Sequence, residues 1–254
     1  MFNRRKQEAR GSSTPCGHRA YAVGDIHGRL DLLDRLLEVI DEDLERRPAR
    51  KAVLVLLGDL IDRGPDSRGV VERLRTHRHD VLQPYCLAGN HEEVLLRLLA
   101  GERGILDSWL KYGGAECLRS YGGDPATLAD LDERAALRTI KEAIPAEHVR
   151  FIASFADTLT FGDYLFVHAG IRPGVELSMQ SQSDLRWIRA PFLDHQGEHG
   201  FVVVHGHTIT DGVDVQPNRV GIDTGAYRTG ILTALVLDGE ERWTLDTAVT
   251  ESSR

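Results

Sequence analysis

Five short apolar runs in this 254-residue chain end in polar side chains of a restricted kind: Asp25 with His27, Asp59, Asn90 with His91, His168, and His205 with His207. A single histidine after a buried strand is ordinarily a hydrogen-bonded core residue. Five tips carrying imidazole and carboxylate together are harder to explain structurally. Burying that many ionisable groups without a metal or a pairing partner is costly. Mixed nitrogen and oxygen donors suit manganese, iron or zinc rather than calcium, and the lack of clustered cysteines excludes an all-thiolate site. The run Val53–Leu57 leads into Gly58-Asp59-Leu60-Ile61-Asp62-Arg63-Gly64-Pro65. A buried strand that delivers a carboxylate at its C-terminal tip, followed by a tight acidic and basic loop, has the form of a site. Asp59 is expected to hold two metal ions, with Asp62 and Arg63 serving the chemistry beside them.

These tips need strands to carry them. The first strand is read over residues 19–23, the second over 51–57 and a third over 81–87, where Pro84 weakens the first half. Each is followed by helical spacing: Leu30, Leu33, Leu36, Leu37 and Ile40; then Val70, Val71 and Leu74 behind a cap at Asp66 or Ser67; then Val94, Leu95, Leu98 and Leu99. Repeated strand-to-helix units with polar tips predict an α/β layered fold with the site at one sheet edge. Residues from about 101 to 143, with Trp109-Leu110-Lys111-Tyr112-Gly113-Gly114 near their start, predict a helical insertion beside the site with glycine turns. Strands resume at 158–161, 164–167 and 201–204. The tail, with short strands near Val213, Val220, 232–237 and 242–245, packs most simply as a second sheet. The expected domain is 18–254.

Composition narrows the function. Thirty-one basic against 39 acidic residues, a net charge of -8, argue against a dedicated nucleic-acid binder. Cys16, Cys86 and Cys117 are odd in number and widely spaced, which points to reduced thiols in the cytoplasm; Cys86 reads as a core residue. Residues 1–17 begin basic but lack an apolar stretch, so they are expected to form a flexible tail rather than a signal peptide. No segment is apolar and long enough to span a membrane.

Gly24-Asp25-Ile26-His27-Gly28, Gly58 through Gly64, and Gly89-Asn90-His91-Glu92 resemble, in order and spacing, the signature motifs of the PPP-type serine/threonine phosphatases among the calcineurin-like metallophosphoesterases. His168-Ala169-Gly170 and Gly206-His207-Thr208 resemble that family's later metal motifs. Trp109 through Gly114 and Ile222-Asp223-Thr224-Gly225 look like its small bacterial and phage members. The resemblance implies two mixed β-sheets packed as a sandwich flanked by helices, a four-layer α/β/β/α fold. It implies two divalent cations, with manganese foremost and iron or zinc as alternatives. Asp25, His27 and Asp59 would bind the first; Asp59, Asn90, His168 and His207 would bind the second. Two such metals about 3.5–4 Å apart share a water and lower its pKa from about 16 towards about 7, so that a metal-bridging hydroxide attacks phosphorus directly. His91 would be the general acid, Asp62 would hold its ring, and Arg63 would grip the phosphate.

Arg189, in Trp187-Ile188-Arg189, resembles the second phosphate-gripping arginine of the phage-type members and is favoured over Arg186. His205, two residues before His207, shares its face in an extended segment and is read as a support or pocket wall rather than a ligand. Glu92 is read as a helix-starting carboxylate that suits the dipole. The implied activity is hydrolysis of phosphoserine and phosphothreonine in proteins, with phosphotyrosine as a further candidate substrate. The alternative is a symmetrical dinucleoside tetraphosphate hydrolase; those enzymes usually carry alanine at the Asp62 position. An inactive binding module on the same fold is disfavoured by the intact ligand set.

Overall fold

The computed structural model describes residues 12–248. The second strand of the chain, Lys51–Leu56 (β2), is apolar at nearly every position because both of its faces are covered. It lies between the parallel strands His18–Val23 (β1) and Leu82–Cys86 (β3). Beyond β1 run two antiparallel strands, Thr233–Asp238 (β9) and Glu241–Asp246 (β10), giving the order β10-β9-β1-β2-β3. The other sheet has the order β4-β5-β6-β8-β7. It is built from Thr158–Phe161 (β4), Tyr164–Val167 (β5), Val202–His205 (β6), Asp214–Val215 (β7) and Arg219–Gly221 (β8).

The period-2 alternation of β1 and β2 decides what each face meets. Ala20, Ala22, Val55 and Leu57 point inward onto Tyr164, Phe166, Val204 and Val220 of the second sheet. Tyr21, Val23, Leu54 and Leu56 point outward onto helices, chiefly Leu30–Arg46 (α1), Ser67–Arg75 (α2) and Asn90–Leu99 (α3). The far face of the second sheet packs Leu165, Val167 and Val203 on Leu185, Ile188 and Phe192, of which Leu185 lies in helix Gln182–Trp187 (α8). The result is two mixed sheets in a sandwich with helices outside. Among the described residues no helix is long and apolar enough to cross a membrane.

Two expectations are corrected. The C-terminal strands do not all enter the second sheet. Only β7 and β8 do; β9 and β10 return to the first, with β9 paired to β1 from Arg19↔Asp238 to Val23↔Ala234. Every position of β9 except its last residue is buried, so it needs cover on both faces. Its partner is fixed by contacts at the far end of the chain: Arg19 donates to Asp238 at 2.6 Å and to Tyr21, and Tyr21 donates to Asp43 of α1 at 2.8 Å. The expected tail also starts its packing earlier. Ser12 O accepts from the Tyr164 hydroxyl, Ser13 N donates to Asp163, and the buried Thr14 exchanges backbone and hydroxyl hydrogen bonds with Gly239. Residues 1–11 of that tail lie outside the described residues.

Pro84 sits where a strand tolerates it. In the β2–β3 register the odd-numbered residues of β3 face β2, so Pro84 falls on the outer edge and costs no ladder hydrogen bond. His79 Nδ1 accepts from Leu82 N on the same edge, and Cys86 O accepts from Ala156 N, so little of this edge is left to pair with another chain.

The stretch 101–143 contains Leu106–Trp109 (α4), a π-type turn over Leu110–Gly114, Ala115–Ser120 (α5) and Glu133–Ala143 (α6). Ala146–Ile152 (α7) follows, and Ala226–Thr229 (α9) is a single turn after β8.

The docking of Thr14 is testable. Thr14→Val keeps the shape but leaves the Gly239 N–H without its acceptor, so urea unfolding is expected to show a loss of about 1–2 kcal/mol. Unchanged stability would contradict the placement of residues 12–17.

Candidate active site

The tips of β1, β2, β5 and β6 and the start of α3 meet at one edge of the sandwich. Five non-glycine residues among those described have left-handed φ: His27 (48°), Asp59 (50°), Asp62 (71°), Arg63 (67°) and His207 (64°). All five belong to the set expected from sequence. Such backbone costs of order 1–3 kcal/mol per residue and persists only where surroundings impose it. Two glycines permit the convergence. A Cβ on Gly89 would run into the Asp59 carboxylate, and one on Gly206 into that of Asp25.

Asp59 is the hub. Its oxygens lie 3.6 Å from His27 Nε2, 3.4 Å from His168 Nε2 and 3.8 Å from His91 Nε2. Two groups with metal-ligand geometry share it: His27, Asp59 and His91, and Asp59, His168 and His207. Asn90 joins the second group, its Oδ1 being 3.0 Å from His168 Nε2 and 2.9 Å from His207 Nδ1. Asp25 stands beside them with its oxygens turned to the His207 backbone N–H. All ten site residues expected from sequence therefore lie at this edge.

The protonation pattern tests whether a cation fits. His27 Nδ1 is 2.9 Å from Ile61 O and His168 Nδ1 is 2.8 Å from Leu57 O, so each donates there and Nε2 carries the lone pair. Burial pulls both imidazoles below their ordinary pKa and keeps them neutral. Burial likewise takes His207 down to about 3. The Nε2 atoms of His27 and His207 are buried without a hydrogen-bond partner. Lone pairs turned on carboxylate and amide oxygens repel unless a positive ion lies between, so the donor set fits divalent metal. Burial opposes ionisation of Asp59, and the imidazoles around it, of which His91 is the one that carries charge, hold this carboxyl below its usual range. Asp25 goes the other way: burial, then Asp223 and Asp59, push it well up.

His91 and Asp62 form a buried pair at 2.7 Å, Nδ1 to Oδ2. Burial alone would lower His91; Asp59 and the hydrogen-bonded Asp62 overcome it and bring the pKa to about 9. The Asp62 backbone N–H donates to Ser67 Oγ, and the buried Cys117 thiol lies against its carboxylate. Arg63 is braced through its own N–H, which donates to Gly113 O in the π-type turn. A cavity of about 350 Å³ opens here, with Arg63, His91, Tyr112, Trp187, Arg189 and His207 among its walls.

The two candidate arginines are placed differently. Arg186 is bound to Asp157 at 2.6 Å and lies 3.4 Å from Glu93, whereas Arg189 is exposed and lines the cavity. His205 is not a cavity wall. It is buried, with its ring edge-on to Phe192 at 5.1 Å.

Glu92 does more than its sequence position suggested. It does start α3, accepting from the N-cap Gly89 N at 2.9 Å. Its two oxygens also accept from Asp59 N at 2.9 Å and Leu60 N at 2.8 Å, so one carboxylate ties the β2 loop to α3. The helix-starting role was visible in the sequence; the second pair of bonds was not. Glu93 likewise accepts from Trp187 Nε1 at 3.2 Å and steadies that wall.

Residues 18–232 match the family model described as calcineurin-like phosphoesterase. Relatives include a zinc-dependent endopolyphosphatase of Saccharomyces cerevisiae, 24% identical over 84% of this chain and 74% of the relative. A serine/threonine-protein phosphatase 2 of Escherichia coli is 28% identical over 84% of this chain and 89% of its own. A symmetrical bis(5'-nucleosyl)-tetraphosphatase of Legionella pneumophila is 42% identical, but over only 32% of this chain and 26% of its own. A solved structure provisionally named a diadenosine tetraphosphatase superposes with a TM-score of 0.65 over 93% of this chain and 98% of its own, at 21% identity, which speaks to fold.

Replacing Glu92 with glutamine puts an amide N–H₂ against backbone donors, so at least one of three buried N–H groups loses its acceptor. Glu92→Gln is expected to cost about 1–3 kcal/mol in urea unfolding. A variant as stable as the parent would mean the carboxylate is not the tie between β2 and α3.

Proposed function

The chain belongs to the calcineurin-like phosphoesterase family, and on that footing we propose that it is a metal-dependent phosphomonoesterase acting on phosphoserine and phosphothreonine, and also on phosphotyrosine, in proteins. The observation that carries this reading is the buried 2.7 Å pair of His91 and Asp62. A serine or threonine alkoxide is a poor leaving group and needs a proton as the P–O bond breaks. A phosphoanhydride leaves as a phosphate, whose own second pKa is only about 6. A buried imidazole kept protonated by a carboxylate is therefore of most use against alkyl monoesters.

We assign Asp25, His27 and Asp59 to one cation and Asp59, Asn90, His168 and His207 to the other, with Asp59 shared. Manganese is our working choice; the ligand set also suits iron and zinc, and one relative is named zinc-dependent. When bound, the two ions would supply Lewis-acid activation of water and neutralise charge at phosphorus. Arg63 and Arg189, both on the cavity wall, bind and orient the phosphoryl oxygens through forked N–H donors. His91 Nδ1 stays on Asp62; Nε2, which faces the Arg63 guanidinium at 3.1 Å, is the nitrogen that delivers the proton to the departing oxygen once the Arg63 donors turn to the phosphoryl group. The Asp62 carboxylate on Nδ1 favours the protonated form of the ring.

The second reading is a symmetrical dinucleoside tetraphosphate hydrolase. Tyr112 and Trp187 favour it, since both are exposed aromatics on the cavity wall and such rings stack on bases. A matched assay separates the two: phosphoserine peptide against diadenosine tetraphosphate, each with added Mn²⁺. Faster peptide dephosphorylation is expected; much faster cleavage of the dinucleotide would put the second reading first.

The acid role has its own measurement. His91→Asn is expected to keep its metal, by elemental analysis, and to lose about 10²–10⁴-fold in turnover of a phosphoserine peptide. Loss on p-nitrophenyl phosphate should be smaller, because p-nitrophenolate leaves without help. Full rate on the peptide would remove His91 from the mechanism.

A further inference from the structure

Arg63 is held without a carboxylate. Among the described residues it forms no ion pair, and its guanidinium sits 3.1 Å from His91 Nε2. What faces it is an aromatic ring: Arg63 Cζ lies 4.8 Å from the centre of Tyr227. The same ring stands edge-on to His27 at 5.3 Å and 85°. Tyr227 is half-buried in the one-turn α9, and that turn is itself anchored. Gly225, at its N-terminal end with φ 69°, donates its N–H to Asp223 Oδ1 at 2.9 Å, and Ala226 O accepts from Arg29 Nη1 at 3.0 Å.

We infer that Tyr227 is a positioning residue that presents the Arg63 guanidinium to the phosphoryl group, an inference that rests on the reading of Arg63 as phosphate clamp. The physical reason is the nature of the support. A carboxylate partner would occupy the N–H donors of Arg63 and repel an incoming dianion. An aromatic face attracts the cation through its quadrupole and leaves the forked donors free for oxygen. The strained backbone at Asp62 and Arg63 and the brace from Gly113 O fix where the side chain starts; Tyr227 fixes where it ends. Asp223, whose motif the sequence singled out, thereby has a use here: it secures the turn that carries the ring.

The test uses the full chain loaded with Mn²⁺ and reads three quantities: KM for p-nitrophenyl phosphate, Ki for inorganic phosphate, and bound manganese. Tyr227→Leu is expected to raise Ki and KM by about threefold to tenfold, the span of a partly exposed cation–π contact, with a smaller change in kcat and unchanged manganese. Tyr227→Phe keeps the ring and should restore phosphate affinity. In an Arg63→Ala background, Tyr227→Leu should add nothing. The inference is overturned if Tyr227→Leu leaves Ki unchanged while Arg63→Ala raises it. It is overturned equally if Tyr227→Phe is as damaging as leucine, or if manganese is lost, which would mean that the ring acts through His27. If Arg63→Ala itself leaves Ki unchanged, the clamp reading fails first and the inference falls with it.

Discussion

Everything at this edge depends on the ionised carboxylate of Asp59 inside the protein. It is buried, and Asp25, Asp62, Glu92 and Asp223 are buried around it. Five carboxyl groups so placed would be intolerable if all carried charge without compensation. The protein answers each differently. Asp25 accepts from the His207 N–H, Asp59 is surrounded by imidazoles, Asp62 is bound to His91, Glu92 accepts three backbone N–H groups, and Asp223 accepts from Gly225. What remains uncompensated are the imidazole nitrogens turned on these oxygens, His27 Nε2 on Asp59 and His168 Nε2 and His207 Nδ1 on Asn90 Oδ1, and they mark where a cation belongs.

The same constraint explains the strain. Side chains on strands stand about perpendicular to the sheet, so residues at strand tips do not converge unless the chain turns sharply. Left-handed backbone at His27, Asp59, Asp62, Arg63 and His207 provides those turns, and Gly89 and Gly206 leave room for neighbouring carboxylates. Glu92 locks the one at Asp59. The cost of the strain is met by the rigid sandwich below, in which β1 and β2 are covered on both faces.

The insertion and the turn after β8 complete the site from outside the sheets. Gly113 O takes the Arg63 N–H, the thiol of Cys117 lies against Asp62, and Tyr227 faces the Arg63 side chain. Arg63 is thus fixed by groups from two separate parts of the chain, although it sits in a loop directly after β2. Variation in these outer segments would alter how substrate is held without touching the metal-ligand set, which is how loops on a fixed scaffold commonly change selectivity.

Much of this was legible in the sequence because it is local. Strand polarity follows from alternation over five or six residues, helix faces from 3.6-residue spacing, and tip chemistry from residue type. The polar strand tips could therefore be named from the chain alone, and through the resemblance of its motifs so could the ten expected site residues and the two-sheet architecture. Tertiary structure decided what depends on partners distant in sequence. The Arg19–Asp238 contact, 219 residues apart, puts β9 and β10 in the first sheet. Asp157 and Glu93 occupy Arg186 and leave Arg189 to the cavity. Glu92 reaches back to β2, Thr14 docks on Gly239, and Tyr227 meets Arg63. No local pattern encodes these pairings, because each is selected by burial and by the need of a polar group for a partner once the layers have closed.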